Sequence, residues 1–105
     1  SGIWLRDTIL EDNVFINGSN MNSEQAMIFN PIIYVLNETG GLKWLIKANS
    51  MRLDSGFWVF DSPSRTKQEG QVEILLDFKP RSTLDKSIML NAGRPLRTIS
   101  LYELS

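Results

Sequence analysis

The feature that most constrains this chain is a succession of short β-type segments, each ended by a turn signal. In residues 42–48, apolar side chains at alternate positions would share one face of a strand, with Lys43 and Lys47 on the other. Residues 37–41 precede this segment, and their two glycines supply the positive φ that a hairpin loop needs. Such segments, with no amphipathic helix of ordinary length, predict an antiparallel sandwich or roll.

Six more segments have the composition of strands. Two of them, 32–36 and 57–60, are apolar on both faces, so each is either enclosed in a core or exposed to a partner, a lipid or a neighbouring domain. The segment 71–77 alternates in the same way as 42–48 and ends before Pro80. The predicted strands are 3–6, 14–17, 32–36, 42–48, 57–61, 71–77 and 87–90.

The amino-acid composition restricts the possible functions of the chain more than it restricts the possible folds. The chain has 105 residues, which suits a single domain over 1–105, and it contains neither Cys nor His. Disulfides, thiolate or imidazole metal sites and a triad with His are therefore excluded. An enzyme would have to use carboxylate, Lys or Tyr chemistry, and we expect neither catalysis nor a cofactor. The net charge of −1 provides no basic excess for nucleic acid.

Charge is distributed unevenly along the chain. Residues 1–40 have a net charge of −4, whereas residues 79–105 carry five basic and two acidic groups, a net charge of +3. If the fold gathers these cations, that region would favour anions. The alternative is a solvated surface with scattered cations. The basic residues are Lys79, Arg81, Lys86, Arg94 and Arg97.

The carboxylates suggest chemistry only weakly. Asp7, Glu11 and Asp12 could bind Ca²⁺, but they lack the spacing and the glycine of a calcium loop, so we favour a solvated loop. The three aspartates at strand ends between residues 54 and 77 could supply a carboxylate pair for glycoside hydrolysis. Since Asp is a common turn former, we favour a structural role for them.

Three tryptophans, Trp4, Trp44 and Trp58, stand out in so small a β domain. They could form a platform on which a sugar stacks, or they could line an apolar channel. The alternative is core filling, which we favour for at least two of them.

The last residues have the sequence of a helix start. Ser100 and Glu103 fit a capping box, so a helix should begin at Leu101 and continue in the natural chain beyond Ser105. The alternative is a chance occurrence of this four-residue pattern.

Several segments match one known family in their order and spacing. They are residues 2–7 (GIWLRD), 14–17 (VFIN), 32–61 with its NETGGL loop and GFWVF run, and 99–104 (ISLYEL). Together they resemble the periplasmic domain of the lipopolysaccharide-export permeases, the LptF/LptG family, and are more similar to the LptG branch.

The resemblance implies a fold and a function. The fold would be an all-β jellyroll, an open and twisted antiparallel double sheet inserted between two transmembrane segments, with the start of a helix at its C-terminus. Its trough would receive the acyl chains of lipopolysaccharide at the periplasmic face of the Gram-negative inner membrane. The implied partners are a second, LptF-like permease subunit, an LptC-like jellyroll and a cytoplasmic ATPase subunit that hydrolyses ATP.

We expect the apolar faces of the strands to line this trough, because the inner face of a jellyroll is its most apolar face. The candidate lining residues are Leu42, Trp44, Ile46, Val72, Ile74, Leu76 and Phe78, followed by Tyr34, Leu36, Trp58 and Phe60. The five basic residues of 79–105 are candidates for contacts with lipid phosphates at the rim. Two alternatives remain open: a module that mainly positions its partner's jellyroll, and a carbohydrate-binding β-sandwich.

Overall fold

A computed structural model describes residues 2–92 of the chain, which form two antiparallel sheets and one short helix. The elements are β1 (Ile3–Ile9), β2 (Asp12–Gly18), β3 (Asn20–Asn22), β4 (Met27–Phe29), β5 (Ile32–Leu36), β6 (Leu42–Lys47), β7 (Ser50–Asp54), β8 (Phe57–Asp61), β9 (Ser64–Thr66), β10 (Val72–Ile74) and α1 (Lys86–Ala92). The larger sheet has the order β1-β2-β5-β6-β9-β10, and the smaller sheet the order β3-β4-β7-β8. The predicted all-β, jellyroll-like fold is confirmed.

The core lies between the inner faces of the two sheets. In the larger sheet, Leu5, Ile16, Ile33 and Ile46 stand opposite one another on four neighbouring strands, and all four are buried. The smaller sheet contributes the buried side chains of Ile28, Met51, Leu53 and Trp58. Because full burial of one such side chain stabilises the fold by about 1.5–3 kcal/mol, these facing rows hold the layers together.

Two hairpins of the larger sheet use different turn chemistry. Between β5 and β6, Asn37 Oδ1 accepts a hydrogen bond of 2.8 Å from the Gly41 amide, and Gly40 has a φ of 88°. This hairpin is the one that the sequence predicts. Between β1 and β2 only Leu10 and Glu11 intervene, with φ values of 50° and 70°. Both flanking strands are longer than predicted, because pairing continues up to this tight turn.

The predicted strand at 87–90 is wrong, since these residues belong to α1. Asp85 caps the helix: its Oδ1 accepts hydrogen bonds from the Ser87 hydroxyl (2.6 Å) and the Ile88 amide (3.0 Å). These two bonds, the hydroxyl first, lower the pKa of Asp85. Met89 is fully buried in the core, so this segment packs on the sandwich through Met89 as a helical turn.

Some predictions lie outside the described residues. They are the helix expected from Leu101, the basic residues Arg94 and Arg97, and the family-like segment 99–104.

Candidate functional site

An apolar cleft lies where the chain crosses from the larger sheet to the smaller one. After β10, the Leu75 amide donates a hydrogen bond of 3.0 Å to the Pro63 carbonyl. Farther along, the Pro80 carbonyl accepts one of 2.8 Å from the Trp58 amide on β8. Between these two attachments the crossing segment, residues 75–79, leaves a cleft of about 370 Å³. It is lined by Val59, Phe60, Pro63, Leu75, Asp77, Phe78 and Lys79.

The floor of the cleft is aromatic and aliphatic. The ring centroids of Phe60 and Phe78 are 5.2 Å apart, with the rings tilted by 35°. Both rings, together with Leu75, are partly buried and pack against the core. Asp77 and Lys79 are exposed at the edge. The arrangement suits an apolar chain attached to a polar group, because the floor offers apolar contacts while the charged edge remains solvated.

Three sequence candidates therefore meet at one place. The sequence predicts Phe60 and Phe78 as lining residues of the trough and Lys79 as a cation at its rim. Leu75 also lines the cleft and is missed by the sequence pattern, because it occupies the alternate face of the segment 71–77. The signal that could have found it is the continuous apolar pair Leu75-Leu76.

Other candidates occupy the core or its margin. Trp58 and Ile46 are buried at 0% and 3% exposure, respectively, so both fill the core in this structure. Trp44 is partly buried, and its ring contacts the Arg65 guanidinium, with Cζ 4.3 Å from the ring centroid. Leu42 lies at the hairpin end of β6 and is 40% exposed.

The expected inward orientation is wrong for two residues of β5. Ile33 and Val35 are the buried residues of this strand, and successive side chains of a strand point to opposite faces. Tyr34 and Leu36 therefore lie on the outer face of the larger sheet. Tyr34 is covered there by Trp4, whose ring stacks on it with centroids 5.8 Å apart.

The inward orientation is also wrong for Val72, Ile74 and Leu76, which are 67%, 74% and 82% exposed. The strand extends only over Val72–Ile74 and forms the edge of the larger sheet, beyond β9. Val72 pairs with Thr66, which pairs with Leu45 on the outer face. The register of β10 with β9 therefore places Val72 and Ile74 on the outer face of the larger sheet.

A charged pair occupies the inner face of the same sheet edge. Arg65 on β9 stands opposite Glu73 on β10 and binds its carboxylate through Nε at 3.1 Å and through Nη2. Hydrogen bonding to Arg65, followed by the charge of that guanidinium, lowers the pKa of Glu73. The apolar inner surface of the larger sheet thus ends at β6.

Of the basic residues predicted to contact phosphate, Lys79 and Arg81 lie close to each other, whereas Lys86 lies apart in α1. Lys79 Nζ and Arg81 Cζ lie 5.5 Å and 4.5 Å, respectively, from the centroid of the Phe57 ring. Lys86 is exposed in the first turn of α1.

Asp7, for which the sequence favours a solvated loop, is instead a buried carboxylate. Its Oδ2 accepts hydrogen bonds of 2.6 Å each from Trp58 Nε1 and the Ser82 hydroxyl. Its Oδ1 accepts from the Thr8 amide (2.7 Å), the Thr83 amide (2.9 Å) and the Thr83 hydroxyl (2.6 Å). We call these five residues the Asp7 node. It joins β1, β8 and the connection that leads to α1.

The interpretation of Asp7 as part of a solvated loop is therefore wrong, because Asp7 is 7% exposed within β1. Glu11 lies in the exposed turn, and Asp12 forms an ion pair of 3.0 Å with Lys43. Within residues 2–92, no group of three or more acidic side chains is placed to hold a metal ion.

Two comparisons with known proteins gave no match. No family model matches the chain, and no curated protein does so either. Among the described residues, no helix is both long and apolar enough to cross a membrane.

Proposed function

We propose that this chain is a jellyroll domain of a lipopolysaccharide-export permease of the LptF/LptG type, and that it provides an apolar surface for lipid acyl chains. The cleft between β8 and the crossing segment carries this proposal. It combines the Phe60–Phe78 floor with Lys79 at its edge. This is the polarity that a lipid with acyl chains and phosphate groups requires.

The energetics favour transient binding of part of a lipid. Each methylene group removed from water stabilises binding by about 0.8 kcal/mol. Four methylenes against Phe60, Leu75 and Phe78 would thus contribute about 3 kcal/mol, before the cost of ordering the chain. A lipid bound this weakly can dissociate and pass to the next site, and a conduit requires such release.

The sheet edges support a role in assembly. Strands β1 and β10 end the strand order of the larger sheet, and an edge strand can accept another strand through main-chain hydrogen bonds. In the proposed function such edges dock an LptF-like subunit or an LptC-like jellyroll at the periplasmic face of the inner membrane. The ATPase acts from the cytoplasmic side.

Photocrosslinking in the full-length transporter tests the cleft. A photoreactive residue in place of Phe78 should capture lipopolysaccharide, and capture should require ATP hydrolysis. The control is the same residue in place of Phe15, which is exposed on the outer face of the larger sheet. Capture at Phe15 alone, or no capture at Phe78 in an active transporter, would contradict the proposal.

The docking role makes a different prediction for the same transporter. If the domain mainly positions its partner, Phe78→Ser should leave export intact, whereas Glu73→Pro on the edge strand β10 should stop it. The opposite result favours the conduit.

The stacked pair of Trp4 and Tyr34 favours carbohydrate binding as a second candidate function. Trp4 is 45% exposed, so one side of an aromatic pair is open to a sugar ring. Saturable quenching of tryptophan fluorescence by oligosaccharides without acyl chains, abolished by Trp4→Ala, would support this function.

A further inference from the structure

A positively charged aromatic patch lies on the outer face of the smaller sheet. Phe57 on β8 is partly exposed, and Arg81 stands directly opposite it through an isolated antiparallel bridge. Lys79, two residues earlier, extends towards the same ring. We call Phe57, Lys79 and Arg81 the Phe57 patch.

The two cations of the patch are not neutralised by carboxylates. In the described part of the chain, neither Lys79 nor Arg81 forms an ion pair, and the cationic group of each lies over the Phe57 ring. Asp54, which stands opposite Phe57 on β7, is paired with Arg52 at 3.3 Å. A ring contact leaves the charge of a cation intact, so the patch has two positive charges beside an apolar ring.

The arrangement of the residues in the patch indicates which kind of partner it can bind. Its residues lie on an extended segment and a neighbouring strand, and Val59 continues the apolar surface two residues from Phe57. The patch is thus a surface with cations around an aromatic ring. Membrane-bound surfaces have this composition, because cations attract anionic headgroups while an aromatic ring enters the headgroup layer.

We propose that the Phe57 patch binds the surface of a bilayer that contains anionic phospholipids. This goes beyond the proposed function, because adsorption to a bilayer needs no acyl chain in the cleft. The two proposals can therefore fail separately. The patch would orient the domain with the end of the crossing segment towards the membrane, since Lys79 is the last residue of that segment and Arg81 follows it two residues later.

Vesicle flotation of the 105-residue chain tests this inference. The probes are phosphatidylethanolamine vesicles prepared with and without phosphatidylglycerol. We expect binding only with the anionic lipid, and weaker binding as salt is added. Each cation at such a surface contributes about five-fold, so Lys79→Gln with Arg81→Gln should weaken binding about thirty-fold.

Two control variants isolate the patch. Lys47→Gln with Lys67→Gln removes the same charge from two exposed positions, one on β6 of the other sheet and one directly after β9, and it should change binding by less than about three-fold because of screening. Lys79→Arg with Arg81→Lys keeps the charge and should bind normally. Circular dichroism verifies that each variant is folded.

Several outcomes would overturn the inference. One is the absence of binding to anionic vesicles, and another is equal weakening by the two Gln pairs. Loss of binding in the charge-exchange variant, or full competition by soluble glycerol phosphate, would indicate a defined phosphate site instead of a bilayer surface.

Discussion

The Asp7 node predicts a large effect from the substitution Asp7→Asn. All five groups around the carboxylate donate hydrogen bonds to it. An amide keeps one accepting oxygen and replaces the other with a donor. If Asn keeps its oxygen towards Thr8 and Thr83, its NH₂ group faces Trp58 Nε1, which can only donate. The opposite orientation instead leaves two backbone amides without an acceptor.

The magnitude follows from the burial of these groups. A buried donor without a partner costs about 1–3 kcal/mol, and loss of a bond to a carboxylate adds about 1.5–3 kcal/mol before relaxation. We therefore expect Asp7→Asn to lower the free energy of unfolding by about 3 kcal/mol. For a domain of this size, that corresponds to a decrease in Tm of about 10–20 °C.

Urea denaturation followed by far-ultraviolet circular dichroism measures this difference. The control is Asp12→Asn, which breaks only the pair with Lys43 at the surface and should cost less than about 1 kcal/mol. Trp58→Phe removes the indole donor, so the double variant with Asp7→Asn should be more stable than additivity predicts, by about 1–2 kcal/mol. Equal destabilisation by the two Asp→Asn variants, or strict additivity with Trp58→Phe, would refute the reasoning.

Three further predictions concern local structure. Replacing Leu10 and Glu11 with Asn and Gly should raise the free energy of unfolding by about 1 kcal/mol in urea titration, because both native residues have positive φ. Gly18→Ala should cost about 1–3 kcal/mol, since the added methyl group meets the Cγ2 methyl of buried Ile28, and Ile28→Leu, which lacks that methyl group, should recover part of this loss. The lowered pKa of Asp85 means that its stabilisation of α1 is present above its ordinary value of 3.8 and is lost as pH falls through the lowered value. Hydrogen exchange should therefore show that the amides of α1 lose protection in acid in the native chain. The loss should be smaller in Asp85→Asn, because Asn also caps a helix but does not titrate.

Local signals account for the parts of the fold that the sequence predicts. The β5–β6 hairpin was predictable because Asn37 and Gly40 form its turn within five residues. The β1–β2 turn was not, since Leu10 and Glu11 are ordinary helix or strand residues that take positive φ only because long strand pairing on both sides requires it. The helix α1 was missed because its capping residue, Asp85, precedes an apolar run short enough for a strand.

The candidate site depends on contacts that are remote in sequence. An alternating pattern in residues 71–77 indicates two different faces, but only the pairing of Val72 with Thr66 decides which face turns outward. Asp7 accepts hydrogen bonds from residues 51, 75 and 76 positions away, so no local pattern marks it as buried. Phe60 and Phe78 were predictable because large aromatic side chains are usually at least partly buried, although Phe60 lies on β8 and Phe78 lies beyond β10 in the crossing segment.

The cleft and the Asp7 node are joined by one stretch of chain, and its attachments differ along its length. On the node side, Pro80 and Ser82 are both hydrogen-bonded to the backbone of the β7–β8 hairpin, at 2.8 Å each. On the cleft side, within the described residues, no backbone hydrogen bond connects 76–79 to either sheet. Movement of Phe78 to admit an acyl chain would therefore break no strand pairing, whereas movement at Ser82 would open the buried carboxylate to water. The fold thus separates a wall that can yield to a ligand from a clamp that holds α1 on the sandwich, although only a few residues lie between them.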